Sequence, residues 1–339
     1  MATSNVSVKD VATHAGVSLG TVSNVLNRPD RVSESTRMRV LSSISALGFV
    51  RNESARQLRA GHSTTIGFIV LDVSNPFFID VARGAERAAN AVGSSVLIAN
   101  SDEQAERERT YLDLFEEQRA QGVLISPVGD VTERLRRLRA RGIPAVLVDA
   151  AAPDTTFSSV QTDNIAGGRL AVEHLIATGR TDILFVGGPL GLHQIRDRFA
   201  GARSAAESSG LGADAVRSWP TPTPTVEAGR RAGAAIAQGE QRPNAIFAAN
   251  DLLAIGIMEA FLFGGLVRIP DEIALIGYDD IGWAASAIVS LTSVRQPSER
   301  IGETAARLLI DEGAATAPVA HRQLQFAPEL VVRDSTRLV

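Results

Sequence analysis

Apolar and polar positions along this chain follow two patterns. In the first 60 residues they suit short, capped helices. Ser7-Val8-Lys9-Asp10 fits a capping box, with Val11, Ala12 and Ala15 on one face and Gly16 as the stop. Ser18 caps a second helix carrying Val22, Val25 and Leu26. Ser33 caps a third, with Val40, Ile44 and Leu47 inward and Gly48 at its end. Asn52 opens a short run to Arg59, too short to hold a helix alone in water and read as a conditional helix and linker.

From Thr65 onward, continuous apolar runs alternate with helix-length amphipathic stretches. The runs are Ile66–Leu71, Val96–Ala99, Val123–Ile125, Ala145–Val148, Ile183–Val186, Ala245–Ala248 and Ile273–Ile276. The stretches are Phe78–Val92, Glu106–Arg119, Ile165–Thr178, Phe199–Ser209, Asp251–Phe263 and Ser298–Asp311. Such alternation predicts parallel sheets covered on both faces. The segment is too long for one sheet, so two doubly wound lobes are expected, with ligands at the carboxyl ends of the strands, in the cleft between them.

Composition narrows the class. The 339 residues are 45% hydrophobic and 21% charged, as in soluble globular protein, and contain no cysteine. No apolar run reaches the roughly 18 residues a membrane span needs, and Met1 to Lys9 has no apolar core of a signal peptide. A cytoplasmic location follows as an expectation. Residues 1–61 carry eight basic and four acidic groups, so this head is +4 while the whole chain is −4. A basic head on an acidic body suggests that the head meets a polyanion.

The residues directly after the strands carry the candidate chemistry. Asp72-Val73-Ser74-Asn75-Pro76-Phe77-Phe78 follows the first run, Asp149 the fourth, Asn250-Asp251 the sixth and Tyr278-Asp279-Asp280 the seventh. Gln296 follows Thr292–Arg295, and Arg196 opens the helix after Gly187-Gly188-Pro189. Carboxylates, amides and a guanidinium together suit a ring of hydroxyls. Phe77, Phe78, Tyr278 and Trp283 could stack on a flat ligand face. For any single residue a helix or turn cap competes with ligand contact, and Asp251 and Asp280 are assigned to caps. No nucleophile elbow, zinc motif or phosphate loop is present, and no two of the five histidines stand at metal-ligand spacing. No catalysis, cofactor or metal is expected. His174 reads as structural.

Counting Val8 as the first of twenty positions, Ala12 is fifth, Gly16 ninth and Val22 fifteenth, the small, glycine and β-branched residues that a helix-turn-helix needs. Val8-Lys9-Asp10-Val11-Ala12, Ala15-Gly16-Val17-Ser18, Thr21-Val22-Ser23-Asn24-Val25-Leu26-Asn27 and Val32-Ser33-Glu34-Ser35-Thr36-Arg37 continue the pattern. With Asn52-x-x-Ala55-Arg56-x-Leu58, Ser74-Asn75-Pro76-Phe77-Phe78, Gly277-Tyr278-Asp279-Asp280 and Pro328 to Ser335, the chain resembles the lactose-repressor (LacI/GalR) family of bacterial transcription regulators along essentially its whole length.

The resemblance implies a homodimer whose heads each place a helix in the major groove of half a near-palindromic operator. Contacts to DNA would come from Ser18, Leu19, Gly20, Thr21, Ser23, Asn24, Asn27 and Arg31, and from the hinge residues Asn52, Ala55, Arg56 and Leu58. Leu58 matches the family's minor-groove wedge. Asp149, Arg196, Asn250, Asp279 and Gln296 match sugar-contacting positions, with Phe77 and Phe78 at an aromatic entrance; Asp72, Tyr278 and Trp283 complete the candidate effector site. The implied layout is a head over 1–50 and a hinge over 51–63. One lobe takes 64–161 plus 292–325, and a second takes 162–291 plus 326–339.

Departures from the family pattern also inform. Asn24 stands where many relatives carry arginine and favours adenine over guanine. Arg51 replaces a common proline, and no leucine heptad tail closes the chain, so no tetramer is expected. The function read from all this is a repressor relieved by a sugar. The alternatives are a regulator co-repressed by a purine or a partner protein, with Tyr278 and Trp283 stacking on the base, and a sugar-binding transport protein. An enzyme ranks last.

Overall fold

In the computed structural model, residues 6–49, 63–317 and 320–337 are described. The chain divides into two compact units, residues 1–62 and 63–339. The hinge residues Asn52, Ala55, Arg56 and Leu58 lie outside the described residues.

The first unit contains α1 (Val8–Ala15), α2 (Leu19–Asn27) and α3 (Glu34–Leu47). The capping box of α1 is complete: the Ser7 amide donates to Asp10 Oδ2 at 2.8 Å and the Asp10 amide to Ser7 Oγ at 3.4 Å. Gly16 ends the helix at φ 63°, a left-handed backbone that glycine adopts without steric cost. Its small core is Val11, Ala12, Ala15, Val22, Val25 and Val40, with Ile44 and Leu47 partly buried against it. Ser33 precedes α3 without a side-chain hydrogen bond to its backbone, so that cap is not made.

The second unit is α/β. One six-stranded sheet contains β1 (Thr65–Val70), β2 (Ser95–Asn100), β3 (Gly122–Ile125), β4 (Ala145–Val148), β5 (Ser158–Thr162) and β11 (Gln323–Phe326), in the order β11-β5-β4-β3-β1-β2. All its pairings are parallel. The other contains β6 (Ile183–Val186), β7 (Val216–Trp219), β8 (Ala245–Ala248), β9 (Ala274–Asp279), β10 (Thr292–Arg295) and β12 (Glu329–Val331), in the order β12-β10-β9-β8-β6-β7. Only β12 is antiparallel there. The central strands are buried along their length, which is why they read as unbroken apolar runs.

The chain crosses between lobes after β5, after β10 and after β11. The layout drawn from the sequence is corrected here: residues 292–295 pair with β9 of the second sheet, not with the first lobe. That lobe regains the chain only at α12 (Ser298–Ala314), which packs on α4 (Pro76–Asn90). Elements that escaped the sequence reading include β5, β7, β11, β12, α6 (Thr132–Ala140) and α9 (Val226–Gln238). The body also contains α5 (Ala105–Glu117), α7 (Asn164–Ala177), α10 (Asp251–Phe263) and a short α11 (Gly282–Ser286). Finally, α8 spans His193–Ser208 and begins six residues earlier than expected.

Three helix pairs, α4 with α12, α7 with α8 and α9 with α10, meet backbone to backbone through glycines. A Cβ on Gly84 would lie 2.0 Å from Glu299 O and one on Gly302 1.8 Å from Val81 O. The same holds for Gly168 against Arg198 O and Gly201 against Ile165 O, both at 2.0 Å. No side chain fits at these crossings. The α7–α8 contact therefore sets how closely α8 approaches the second sheet, and with it the position of Arg198.

Candidate functional site

Two regions carry the candidate chemistry. In the head, Ser18 accepts a hydrogen bond from the Thr21 amide at 3.1 Å and starts α2. Val22 and Val25 face the core, which turns Leu19, Gly20, Asn24 and Asn27 outward. Ser18 and Arg31 are also exposed, while Thr21 and Ser23 are half-buried. The amide of Asn27 donates to Ser23 O at 2.8 Å and to Ser23 Oγ at 3.2 Å. Among the described residues, Lys9, Arg28, Arg31 and Arg39 have no ion-pair partner, whereas Arg37 meets Glu34 at 3.5 Å. Exposed cations around a capped helix of small polar residues suit a phosphate backbone and the edges of bases.

The second region is a cleft at the strand ends of the body. About 460 Å³ of space, open solvent at the mouth included, lies between Leu71, Asp72, Asn75, Phe77, Phe78, Glu103 and Asp149 of the first lobe and Leu192, Gln194, Ile195, Arg198, Pro224, Ala249, Asn250 and Asp279 of the second. Asn75 caps α4 by accepting from the Phe77 amide at 3.0 Å. With its oxygen so used, its Nδ2 donates across the cleft to Asp279 Oδ2 at 3.1 Å. Phe77 and Phe78 follow at the start of α4, packed edge to face with centroids 5.1 Å apart.

Arg198 is the cation of the site. Its Nε donates to Asn164 Oδ1 at 2.9 Å and its Nη1 to Ala249 O at 2.7 Å, while Nη2 lies 3.7 Å from Asp279 Oδ1. The guanidinium lies over the Tyr278 ring, 3.6 Å from its centroid. Asp279 Oδ1 also accepts from Gln296 Nε2 at 2.8 Å. Burial raises the Asp279 carboxyl above its ordinary range, and Arg198, Asn75 and Gln296 oppose that rise.

Asp149 is less well served. Its Oδ2 accepts from Gln194 Nε2 at 3.4 Å, but its Oδ1 is buried with no partner. Burial pushes this carboxyl up to about 7, opposed by Arg198 and reinforced by Asp279. His193 Nε2 donates to Asp149 O at 2.8 Å across the lobes, and burial lowers the pKa of that imidazole. Asp149 at φ 54° and Asp279 at φ 104° both hold left-handed backbone. Each costs about 1–3 kcal/mol and persists where surrounding structure enforces it, as it does at binding sites.

Several sequence expectations change. Arg196 is not in the cleft: its side chain is 62% exposed and paired with Asp197, whereas that of Arg198 is 5% exposed. Two residues along a helix turn about 200°, so the two arginines of α8 point to opposite faces. Tyr278 lies wholly buried beneath Arg198 and does not line the cleft. Trp283 is 53% exposed and lines a separate crevice with Ser74, Arg230 and Glu259. Gln296 acts on Asp279 rather than lining the space. Asn250 lines the cleft, yet its amide also caps α10 through the Leu253 amide at 2.9 Å. Asp251 is not a cap: it is buried, accepting from Ser293 Oγ at 2.7 Å and the Ile281 amide at 2.8 Å. Asp280 pairs with Arg295 at 2.7 Å instead of capping a turn. Asn75, Glu103, Gln194 and Arg198 were missed. Asn75 stands in the Ser-Asn-Pro segment already marked, and Glu103 obeys the same strand-end rule after β2.

Comparison with known proteins matches both regions. Residues 7–52 fit the family of bacterial regulatory proteins, lacI family, and residues 172–336 fit a periplasmic binding protein-like domain. The ribose operon repressor of Escherichia coli K12 is 32% identical over 97% of this chain and 99% of its own length.

The chain belongs to the lacI family of bacterial regulatory proteins.

A further lacI-family relative of this regulator is the HTH-type transcriptional repressor PurR of Vibrio campbellii, 31% identical over 97% of this chain and 98% of its own. The regulator's fold also matches the lac repressor dimer bound to operator and the anti-inducer ONPF, with TM-score 0.81, 27% identity and coverage of 98% of this chain and 99% of that one. Among the described residues, no helix of the regulator is long and apolar enough to cross a membrane.

Proposed function

We propose that this regulator is a cytoplasmic, dimeric repressor that acts by binding and not by catalysis, its operator affinity governed by a sugar held in the cleft. One observation carries the ligand class. Asp149 Oδ1 is buried without a donor, beside the Arg198 guanidinium and the Asp279 carboxylate. Such an oxygen costs free energy until a donor reaches it, and a ring of hydroxyls supplies donors and acceptors together.

The expected coupling runs through three contacts that join the lobes: Asn75 to Asp279, Gln194 to Asp149 and His193 to the Asp149 carbonyl. A ligand that binds one lobe arrangement better shifts the equilibrium towards it. In a dimer that rotation would change the spacing of the heads on the operator, whose half-sites α2 and the exposed arginines of the head would contact. The co-repressor reading loses two of its stacking candidates, because Tyr278 is covered by Arg198 and Trp283 lies in another crevice, and keeps only Phe77 and Phe78 in the cleft.

A melting-temperature screen of sugars and nucleobases on the full chain tests this, followed by operator binding with and without each hit. Sugars should raise the melting temperature and weaken operator binding. A nucleobase that alone stabilises the chain and tightens operator binding would overturn the reading.

A further inference from the structure

The cleft has more negative charge than it balances. Asp72, Glu103, Asp149 and Asp279 all line it, against Arg198 as the only cation in the lining. Arg198 is committed to the Asp279 end, 3.7 Å from that carboxylate. At the other end the Asp72 carboxylate accepts only from Ser74 among the described residues, from its amide at 2.8 Å and its hydroxyl at 2.6 Å. The neighbouring Arg107 pairs with Asp102 at 2.8 Å. Glu103 itself makes no ion pair among the described residues. It is half-buried, at φ 55°, and burial with repulsion from Asp72 and Asp102 pushes its carboxyl up to about 7. Asp149, in the same cleft, holds a buried oxygen without a donor.

We propose that the ligand of this cleft is an amino polyol, of which a 2-amino-2-deoxyhexose is the simplest class, with its ammonium against Asp72 and Glu103 and its hydroxyls towards Asp149, Arg198 and Asp279. The inference rests on reading the cleft as the effector site and adds the charge of the effector. A neutral sugar brings donors but leaves Asp72 and Glu103 to relieve their repulsion by taking up a proton. An ammonium brings three donors and the missing charge at once. A metal ion is not the substitute: among the described residues no three His, Cys, Asp or Glu side chains are grouped to hold one. The Arg198–Asp279 end is already paired, so a second cationic group has no seat there.

Isothermal calorimetry on the full chain at pH 7 tests this with glucosamine and galactosamine, each beside its parent hexose and its N-acetyl derivative. At least one amine should bind about tenfold or more tighter than its parent and its N-acetyl form, the scale of a charge-assisted hydrogen bond. Glu103→Gln should abolish that preference, and Asp72→Asn should reduce it. A melting curve of each variant checks that it is folded. A parent hexose that binds as tightly as its amine, or a preference that survives Glu103→Gln, overturns the inference and leaves the sugar reading intact. Absence of binding by all six compounds overturns the inference, and the wider melting-temperature screen then decides the sugar reading by itself.

Discussion

Asp149→Asn should stabilise the empty protein and disable it. The Asp149 carboxyl ordinarily titrates near 3.8, and burial lifts it to about 7 in the folded chain. A carboxyl raised on folding favours the native state at low pH, and that contribution is lost as pH rises through the folded value. Between pH about 4 and 7 the loss accumulates, and above about 7 it is complete. At 1.36 kcal/mol per pKa unit the full difference is ~4 kcal/mol, the ceiling for what a neutral isostere recovers. Asparagine keeps an oxygen for Gln194 Nε2, which now lies 3.4 Å from Asp149 Oδ2. The raised value already includes the attraction of Arg198, and the new amide NH2 must find an acceptor in the cleft, so a net gain of ~1–2 kcal/mol at pH 8 is expected, against about none at pH 4. In a domain of this size that is roughly 3–6 °C in melting temperature. Differential scanning calorimetry of the full chain at pH 5, 6, 7 and 8 reads it, with ligand titration alongside. The variant should melt higher at pH 8 and bind its sugar at least tenfold more weakly, because the acceptor for a ligand hydroxyl has lost its charge. A variant that melts lower than the native chain at every pH would refute the reasoning. It would show that the carboxylate holds the empty cleft together.

Further outcomes follow from the same geometry. Arg198→Met should cost about 3–5 kcal/mol of stability, since it strands Asp279 beside a severed pair, while Arg196→Met should stay within about 0.5 kcal/mol and leave ligand affinity unchanged; urea denaturation and calorimetry of both variants check this. Gly168→Val should displace α8 at its contact with Arg198 O and lower both stability and ligand affinity, whereas the exposed Gly129→Val should do neither; a melting curve with and without ligand separates them. A fragment lacking residues 1–61 should keep ligand binding and lose operator binding, and operator affinity of the intact chain should fall steeply with salt; gel shifts of fragment and full chain at about 50 and 200 mM salt read both.

What the chain's own residues determined is local. Ser7, Asp10, Gly16 and Ser18 specify where α1 ends and α2 begins, because caps act over three or four residues and need no distant partner. The central strands β1, β3, β4, β6, β8 and β9 announce themselves for a similar reason: a strand covered on both faces by helices reads as an apolar run. The strand-end rule located Asp72, Phe77, Phe78, Asp149, Asn250 and Asp279 at one cleft, since parallel topology gathers such ends on one edge.

Other features depended on residues far apart in the chain. β5, Ser158-Ser-Val-Gln-Thr, is polar in composition, yet four of its five residues are buried between β4 and β11, the latter arriving more than 150 residues later. Thr292–Arg295 carries no sign of which sheet it joins; pairing with β9 decides it. The choice between Arg196 and Arg198 turned on where α8 starts and how its glycines seat it on α7. Arg198 entered the cleft, and Tyr278 was sealed beneath it, through contacts with Asn164 and Ala249 that no nearby residue announces. Periodicity and capping are encoded over one turn of helix or one pleat. Which arginine is desolvated, and which carboxylate stays without a donor, is set by packing among segments that meet only when both lobes have formed.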